Sequence, residues 1–222
     1  MGLCAVVLGA AAGGGLPQWN CNAANSRAFW LGQSPVAPAT QSSLAVSVDG
    51  ESWLVLNASP DLRQQILATP ALQPRDPDRH GLRHSPIAAV LVTNGDIDHV
   101  AGLLTLRERQ PFTLWTTADI AAVLDANPIF EALNREVVAR RTLALDAPVE
   151  VLAGLSVELF AVPGKVPLYM EGETVETELE GEQTVGVRLS DGERTLFYVP
   201  GCAAMTPALA ERLRGAELVL FD

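Results

Sequence analysis

Four side chains able to ligate a cation, Asn94, Asp96, Asp98 and His99, crowd into the short stretch NGDIDH. It lies between an apolar run, Ile87 to Thr93, and a helix-period run from about Val100 to Arg109. Carboxylate, amide and imidazole donors on one short loop can hold a divalent metal, because the loop fixes their relative positions. Loops at the carboxyl ends of strands are common site positions in sheets covered by helices. The same spacing also serves helix capping by Asp96 or Asp98, with His99 an ordinary first-turn residue. His80 and His84 fall in a loop rich in arginine and proline, where exposure is the simpler reading. A complete histidine-rich centre cannot be assembled from the three histidines of this chain. The glycine loop, GAAAGGGLPQWN, has the P-loop glycine separation at Gly9 and Gly14, but Gly15 and Leu16 stand where Lys and Ser/Thr are required. That excludes a nucleoside triphosphate site. Trp19, with Gln18 and Asn20, either lines a pocket for a planar ligand or covers the core. Cys21 reads as a buried thiol rather than a nucleophile.

The elements that must position these residues alternate between β-type and helix-type runs. Ala5 to Leu8 reads as a buried strand, since no basic segment precedes it as in a secretory signal. Ser43 to Val48 and Ser52 to Asn57 form a hairpin about Asp49-Gly50. A helix follows, with Ser59 as cap and Pro60 in its first turn. Ile87 to Thr93 is apolar enough for burial on both faces. FTLWT is a strand; TADIAAVLDA, with Thr117 as cap, and PIFEALNREVVARR are helical. LSVELFAVPG, TVGVRLS and RTLFYVPG are strands, the last two joined at Asp191-Gly192. TPALAERLRG is a helix stopped by Gly215, and ELVLFD is a final strand. The run from Glu171 to Glu182 carries six glutamates and reads as a solvated face.

Composition bounds the rest. At 222 residues, 48% hydrophobic and 18% charged, the chain is globular, and one domain over residues 1–222 is expected. A net charge of −11 argues against nucleic acid and anionic membrane as partners. Three cysteines, far apart, give no disulfide framework, so a cytoplasmic setting is expected.

Five motifs in one order carry a resemblance: LGAAAGGGLPQWNCN (from Leu8), TQSSLAVS (from Thr40), NASPDLRQQI (from Asn57), DIDHVAGLLTLRE (from Asp96) and FYVPG (from Phe197). Together they resemble the B proteins of pyrroloquinoline quinone (PQQ) biosynthesis, within the metallo-β-lactamase superfamily. The resemblance implies an α/β fold of αββα sandwich type. The superfamily pattern H-x-H-x-D-H falls on Asn94 to His99, so both first-position histidines are replaced while Asp98 and His99 are kept. A dinuclear hydrolytic centre is therefore not expected. One metal held by Asp98, His99 and further ligands is, with Asp222 as a further candidate. Lys165 stands where hydrolases place another histidine and is a candidate partner for a substrate carboxylate. Gly201 stands at the bridging aspartate. Gln18 and Trp19 are the other substrate-binding candidates. Family members often carry C-x-C-x-x-C where this chain has Cys21, Ala23 and Ser26, so a structural zinc at Cys21 is not expected. The family also continues past Asp222 with further histidines, so a C-terminal part is expected to be absent and this form to be inactive.

The activity implied is iron(II)- and oxygen-dependent hydroxylation of the tyrosine ring in a glutamate-tyrosine intermediate cut from a precursor peptide. Zinc is the alternative metal. A non-catalytic carrier of PQQ or its precursor is the alternative function, and a metal-dependent hydrolase a further one. Other PQQ biosynthesis proteins are the implied partners.

Overall fold

A computed structural model describes residues 2–33, 36–164 and 181–222. Two β-sheets pack face to face. The first has six strands in the order β1 (Cys4–Gly9), β2 (Ser43–Ser47), β3 (Trp53–Leu56), β4 (Ile87–Leu91), β5 (Phe112–Thr116) and β6 (Val138–Thr142). The second runs β11 (Leu218–Phe221), β10 (Thr195–Val199), β9 (Val185–Ser190), β8 (Leu155–Ala161) and β7 (Val149–Leu152). β1, β2 and β3 pair antiparallel, whereas β3 through β6 pair parallel.

Strand alternation sorts the core into layers. Leu44, Val46, Leu54, Leu56, Ala89 and Leu91 point inward to meet Val157, Leu159, Val187 and Leu189 of the second sheet. Ala45, Val55 and Val90 point the other way, under α2 (Leu62–Ala68) and α5 (Ala118–Asp125). Burial on both faces explains why Ile87 to Thr93 is an unbroken apolar run. On the far face of the second sheet, Phe160, Val162, Phe197 and Val199 pack with Leu209 of α6 (Pro207–Arg212). This is the αββα order expected. No helix among the described residues is long and apolar enough to cross a membrane.

Local chemistry sets several boundaries as expected. Asp49 Oδ1 accepts from the amides of Glu51 and Ser52 and closes the β2–β3 turn. Thr117 Oγ1 accepts from Ile120 N at 3.3 Å, and Thr206 Oγ1 from Leu209 N at 3.2 Å, capping α5 and α6. Gly215 adopts φ 74° after α6.

Three expectations are corrected. The first strand is an edge strand, largely exposed, with Val7 54% exposed. PIFEALNREVVARR splits into a 3₁₀ turn at Pro128–Ala132 and β6, because the β-branched pair Val137–Val138 leads into parallel pairing with β5. The helix expected from Val100 is instead α4 (Ile97–Val100), continued by a 3₁₀ stretch at Ala101–Leu106. Gly102 is the cause. Its amide donates to Ala58 O at 2.8 Å, outside the helix, and a Cβ there would lie 2.0 Å from Ser59 O.

The Gly102→Ala variant is therefore expected to lose about 1–3 kcal/mol of stability through backbone overpacking. Urea denaturation checks this; an unchanged midpoint would show that the loop after β3 gives way freely.

Candidate functional site

The ends of β3 and β4 are joined side by side by buried polar groups. Asn57, fully buried, takes φ 62°, which turns the chain sharply after β3. Its Oδ1 accepts from Thr93 N at 2.9 Å and Thr93 Oγ1 at 3.0 Å, beyond the end of β4. Asn94 Oδ1 accepts from Asp96 N at 2.9 Å, and Asp96 O accepts from the amides of His99 and Val100. This turn presents Asp98 and His99 together on α4. Ala58 N donates to His99 O at 2.7 Å, fastening α4 to the loop after β3.

The His99 ring is buried, at 6% exposure. Its Nδ1 lies 3.1 Å from Asp98 Oδ1, an ion-pair distance, yet out of line for a hydrogen bond, and neither ring nitrogen has a hydrogen-bond partner. A buried imidazole with both nitrogens unsatisfied is costly. An electron acceptor at this position would use that lone pair, so Asp98 and His99 fit a metal as two of its donors. Among the described residues no three carboxylate, imidazole or thiol groups are gathered for a metal. Asp98 and His99 stand as a neighbouring pair, and Asp222 lies just past the end of β11.

The glycine loop borders the pair. A Cβ on Gly13 would sit 3.2 Å from Asp98 Oδ2, so only a glycine lets the loop come this close without displacement. The loop is tied down from below. Gly14 N donates to Gln41 Oε1, and Gln41 donates from N and Nε2 to Asp61 Oδ2, both at 3.0 Å. Gln65 Nε2 donates to Thr40 Oγ1 and Gln41 O. Gln18 folds its exposed side chain against Gly14, and Trp19 stands 82% exposed in solvent. The core-covering reading of Trp19 is thereby excluded.

Cys21 is half-buried rather than buried. The amide of Ala23 donates to its Sγ at 3.3 Å and, with the Ser26 hydroxyl, holds the thiol below its ordinary range. His80 and His84 stack on each other at 4.2 Å, and His84 Nδ1 accepts from Arg75 N. Lys165, and residues 171–180 of the acidic run, lie outside the described residues. Glu182 acts structurally, its carboxylate accepting from Ala118 N at 2.9 Å at the start of α5.

Three residues of this region carry no role that sequence reveals: Asn57, Ser42 and Tyr198. Ser42, just before β2, and Tyr198 of β10 lie 2.8 Å apart between hydroxyls. They line a cleft of about 230 Å³ with Asp222, walled by Val7, Leu44, Leu220 and Phe221. The Tyr198 phenol is raised to about 12 in all: burial, chiefly, with Asp222 and Asp98 pushes it up, and Ser42 and Asn57 pull it down. The Asn57 amide acts on the phenol from close range, although Nδ2 makes no geometrically complete hydrogen bond. The motif letters TQSS and FYVPG mark both positions, but nothing in either motif says that they meet.

The family described as "Beta-lactamase superfamily domain" matches residues 52–222. Coenzyme PQQ synthesis protein B of Methylobacterium nodulans is 57% identical over 218 residues, covering 98% of this chain and 72% of that protein. The Ruegeria pomeroyi protein of the same name is 59% identical, over 98% of this chain and 71% of its own length. This chain belongs to the coenzyme PQQ synthesis protein B family. A crystal structure of Zn²⁺-bound PqqB from Methylobacterium extorquens superposes with TM-score 0.94 at 56% identity, covering 98% of this chain and 72% of that one. A diphosphatase of the PhnP family, 22% identical, superposes with TM-score 0.67 over 99% of this chain and 72% of that one, a likeness of fold alone. The fold is thus that of the metallo-β-lactamases. Within that fold, this chain uses Asn94 for a turn.

A phenol raised from the ordinary value near 10 favours the folded state while it stays protonated. That stability is complete below about pH 10 and is lost as pH rises through about 12, on the order of 3 kcal/mol. Denaturation against pH, with phenolate absorbance as the titration signal, checks this. Tyr198→Phe is expected to remove the late-titrating phenol and flatten the alkaline fall.

Proposed function

We propose that the protein works in PQQ biosynthesis as an iron(II)- and oxygen-dependent hydroxylase of the tyrosine ring in a glutamate-tyrosine intermediate. The observation that carries this reading is the buried His99 imidazole beside Asp98, with neither ring nitrogen hydrogen-bonded. Asp98 and His99 would hold the metal as two of its donors, with Asp222 a further candidate. A histidine-carboxylate set with open positions suits non-haem iron. When bound, iron would supply the activation of dioxygen; one oxygen atom enters the ring and the other leaves as water, with two electrons and two protons taken from an added reductant such as ascorbate.

The residues of the chain do the rest. Gly13 lets the glycine loop lie against Asp98. Gln18 and Trp19, exposed on that loop, offer an amide and an indole face to a peptide-derived substrate. Lys165 pairs with a substrate carboxylate. Asn94, its side chain engaged in the turn to Asp96, supplies no ligand of the kind a dinuclear hydrolase needs at that position. This counts against the hydrolase reading.

Zinc is the metal of the crystallised relative. Zinc has no redox chemistry, so a zinc-loaded form suits the second reading, a non-catalytic carrier of PQQ or its precursor. The conversion of the first metal position into a turn favours that reading.

Elemental analysis after anaerobic iron(II) loading separates them. Wild type is expected to hold one iron, lost in the Asp98→Ala, His99→Ala variant, and to add oxygen to glutamyl-tyrosine by mass spectrometry. Quinone binding that survives chelation, without any oxygenated product, would favour the carrier.

A further inference from the structure

Asp61 stands at the N-cap of α2, yet its carboxylate caps no amide of that helix. An aspartate in this position ordinarily accepts from the second or third helical amide. Asp61 Oδ2 is spent elsewhere: it accepts from Gln41 N and Gln41 Nε2, both at 3.0 Å. Gln41 is 7% exposed, and its Oε1 accepts from Gly14 N at 3.1 Å. These bonds fix which way the carboxamide points. A main-chain amide only donates, so the side-chain oxygen faces Gly14 and the nitrogen is left for the carboxylate.

The glycine loop is paired at both ends by main-chain bonds. Ala11 N donates to Thr40 O at 2.9 Å, Ser42 N donates to Ala11 O at 2.9 Å, and Leu16 and Ala39 exchange two bonds of 2.8 Å. Between these ends the Gly14 amide is held by the Gln41 side chain. The adjacent Gly13 lies so near Asp98 that a Cβ would sit 3.2 Å from Oδ2, while Asp98 Oδ1 faces His99 Nδ1 at 3.1 Å. One oxygen of the carboxylate is thus against the loop and the other against the imidazole.

We infer that Gln41, locked by Asp61, is a positioning residue for the metal donors: it holds the glycine loop down on Asp98 and so keeps that carboxylate turned toward His99. This deepens the reading of Asp98 and His99 as metal donors and rests on it. Gln41 acts through the loop and does not touch the metal. The diverted cap agrees with this role, since a local rule of helix stability is broken in favour of a bond that serves the site.

Zinc, the metal of the crystallised relative, is the probe, because its binding is read without turnover. Affinities come from competition with a chromophoric chelator, well below the melting temperature of every variant. Gln41→Leu keeps the bulk of the side chain and loses its polar contacts. It is expected to weaken zinc binding about tenfold or more, as removal of a group that orients a ligand does, and to speed hydrogen exchange at the Gly14 amide. Asp61→Asn, which keeps an oxygen for Gln41, is expected to stay close to wild type. Leu124→Ala, a cavity on the inner face of α5, is expected to lower the melting temperature and leave zinc affinity intact. A merely structural Gln41 would lower the melting temperature of its variant without changing zinc affinity; that result, an equal loss of affinity in Leu124→Ala, or weakened binding with Gly14 exchange unchanged would overturn the inference alone. No zinc on wild type, or zinc kept by the Asp98→Ala, His99→Ala variant, would overturn the donor reading together with it.

Discussion

The site depends on one backbone stitch. Ala58 donates from its amide to His99 O and accepts at its carbonyl from Gly102 N, so a single residue after β3 holds both ends of the α4 turn. These bonds run between segments some forty positions apart in sequence, and they form in the interior, where leaving any one unmade costs most. Asn57 directs Ala58 into place by turning through a left-handed conformation, and its side chain grips Thr93 just past β4. The cost of the left-handed turn is met by a site that is over-determined on every side. Asp98 and His99 are therefore held by neighbours that do not themselves ligate.

A second layer keeps the pair covered. The glycine loop cannot hold its shape alone, and its fixed position comes from Gln41. That side chain takes the Gly14 amide on its oxygen and gives its hydrogens to Asp61, while Gln65 reaches back to Thr40 and the Gln41 carbonyl. Gln65 is 2% exposed, on the inward side of α2. The segments containing TQSSLAVS and NASPDLRQQI thus meet in one network beneath the loop. The two exposed side chains at its tip, Gln18 and Trp19, are left free of structural duty.

Much of this is legible in sequence, for reasons that differ by element. β4 can be read because burial on both faces demands an apolar run, and the α5 and α6 caps because Thr117 and Thr206 act on amides three residues away. Local chemistry leaves local marks. β6 reads as helix in sequence because the edge strand Val138–Thr142 carries consecutive polar residues, Arg140, Arg141 and Thr142, that hide strand alternation, and tertiary pairing with β5 decides it. The helix after Asp98 reads longer than it is because nothing in VAGLLTLRE shows that Gly102 lies against Ser59. Asp98 and His99 stand out as neighbours in sequence. Ser42, Asn57 and Tyr198 do not, because Ser42 and Tyr198 are 156 positions apart and come together only when the two sheets pack.

The electrostatics of the site follow from that packing. Asp98 arrives from the first sheet and Asp222 from the second, and both carboxylates push the Tyr198 phenol up. A carboxylate beside a buried imidazole draws a positive centre. A hydrolase of this superfamily would spread that demand over two metals and several imidazoles. Here Asn94 is neutral and spends its oxygen on the Asp96 amide, so the first position neither attracts nor needs a cation. The attraction is concentrated on the Asp98 side, where the one buried imidazole of the turn waits with both nitrogens unbonded. A single cation there would be drawn by the Asp98 carboxylate and satisfy the imidazole together, and that coincidence is why the pair reads as half of a mononuclear site rather than the remnant of a dinuclear one.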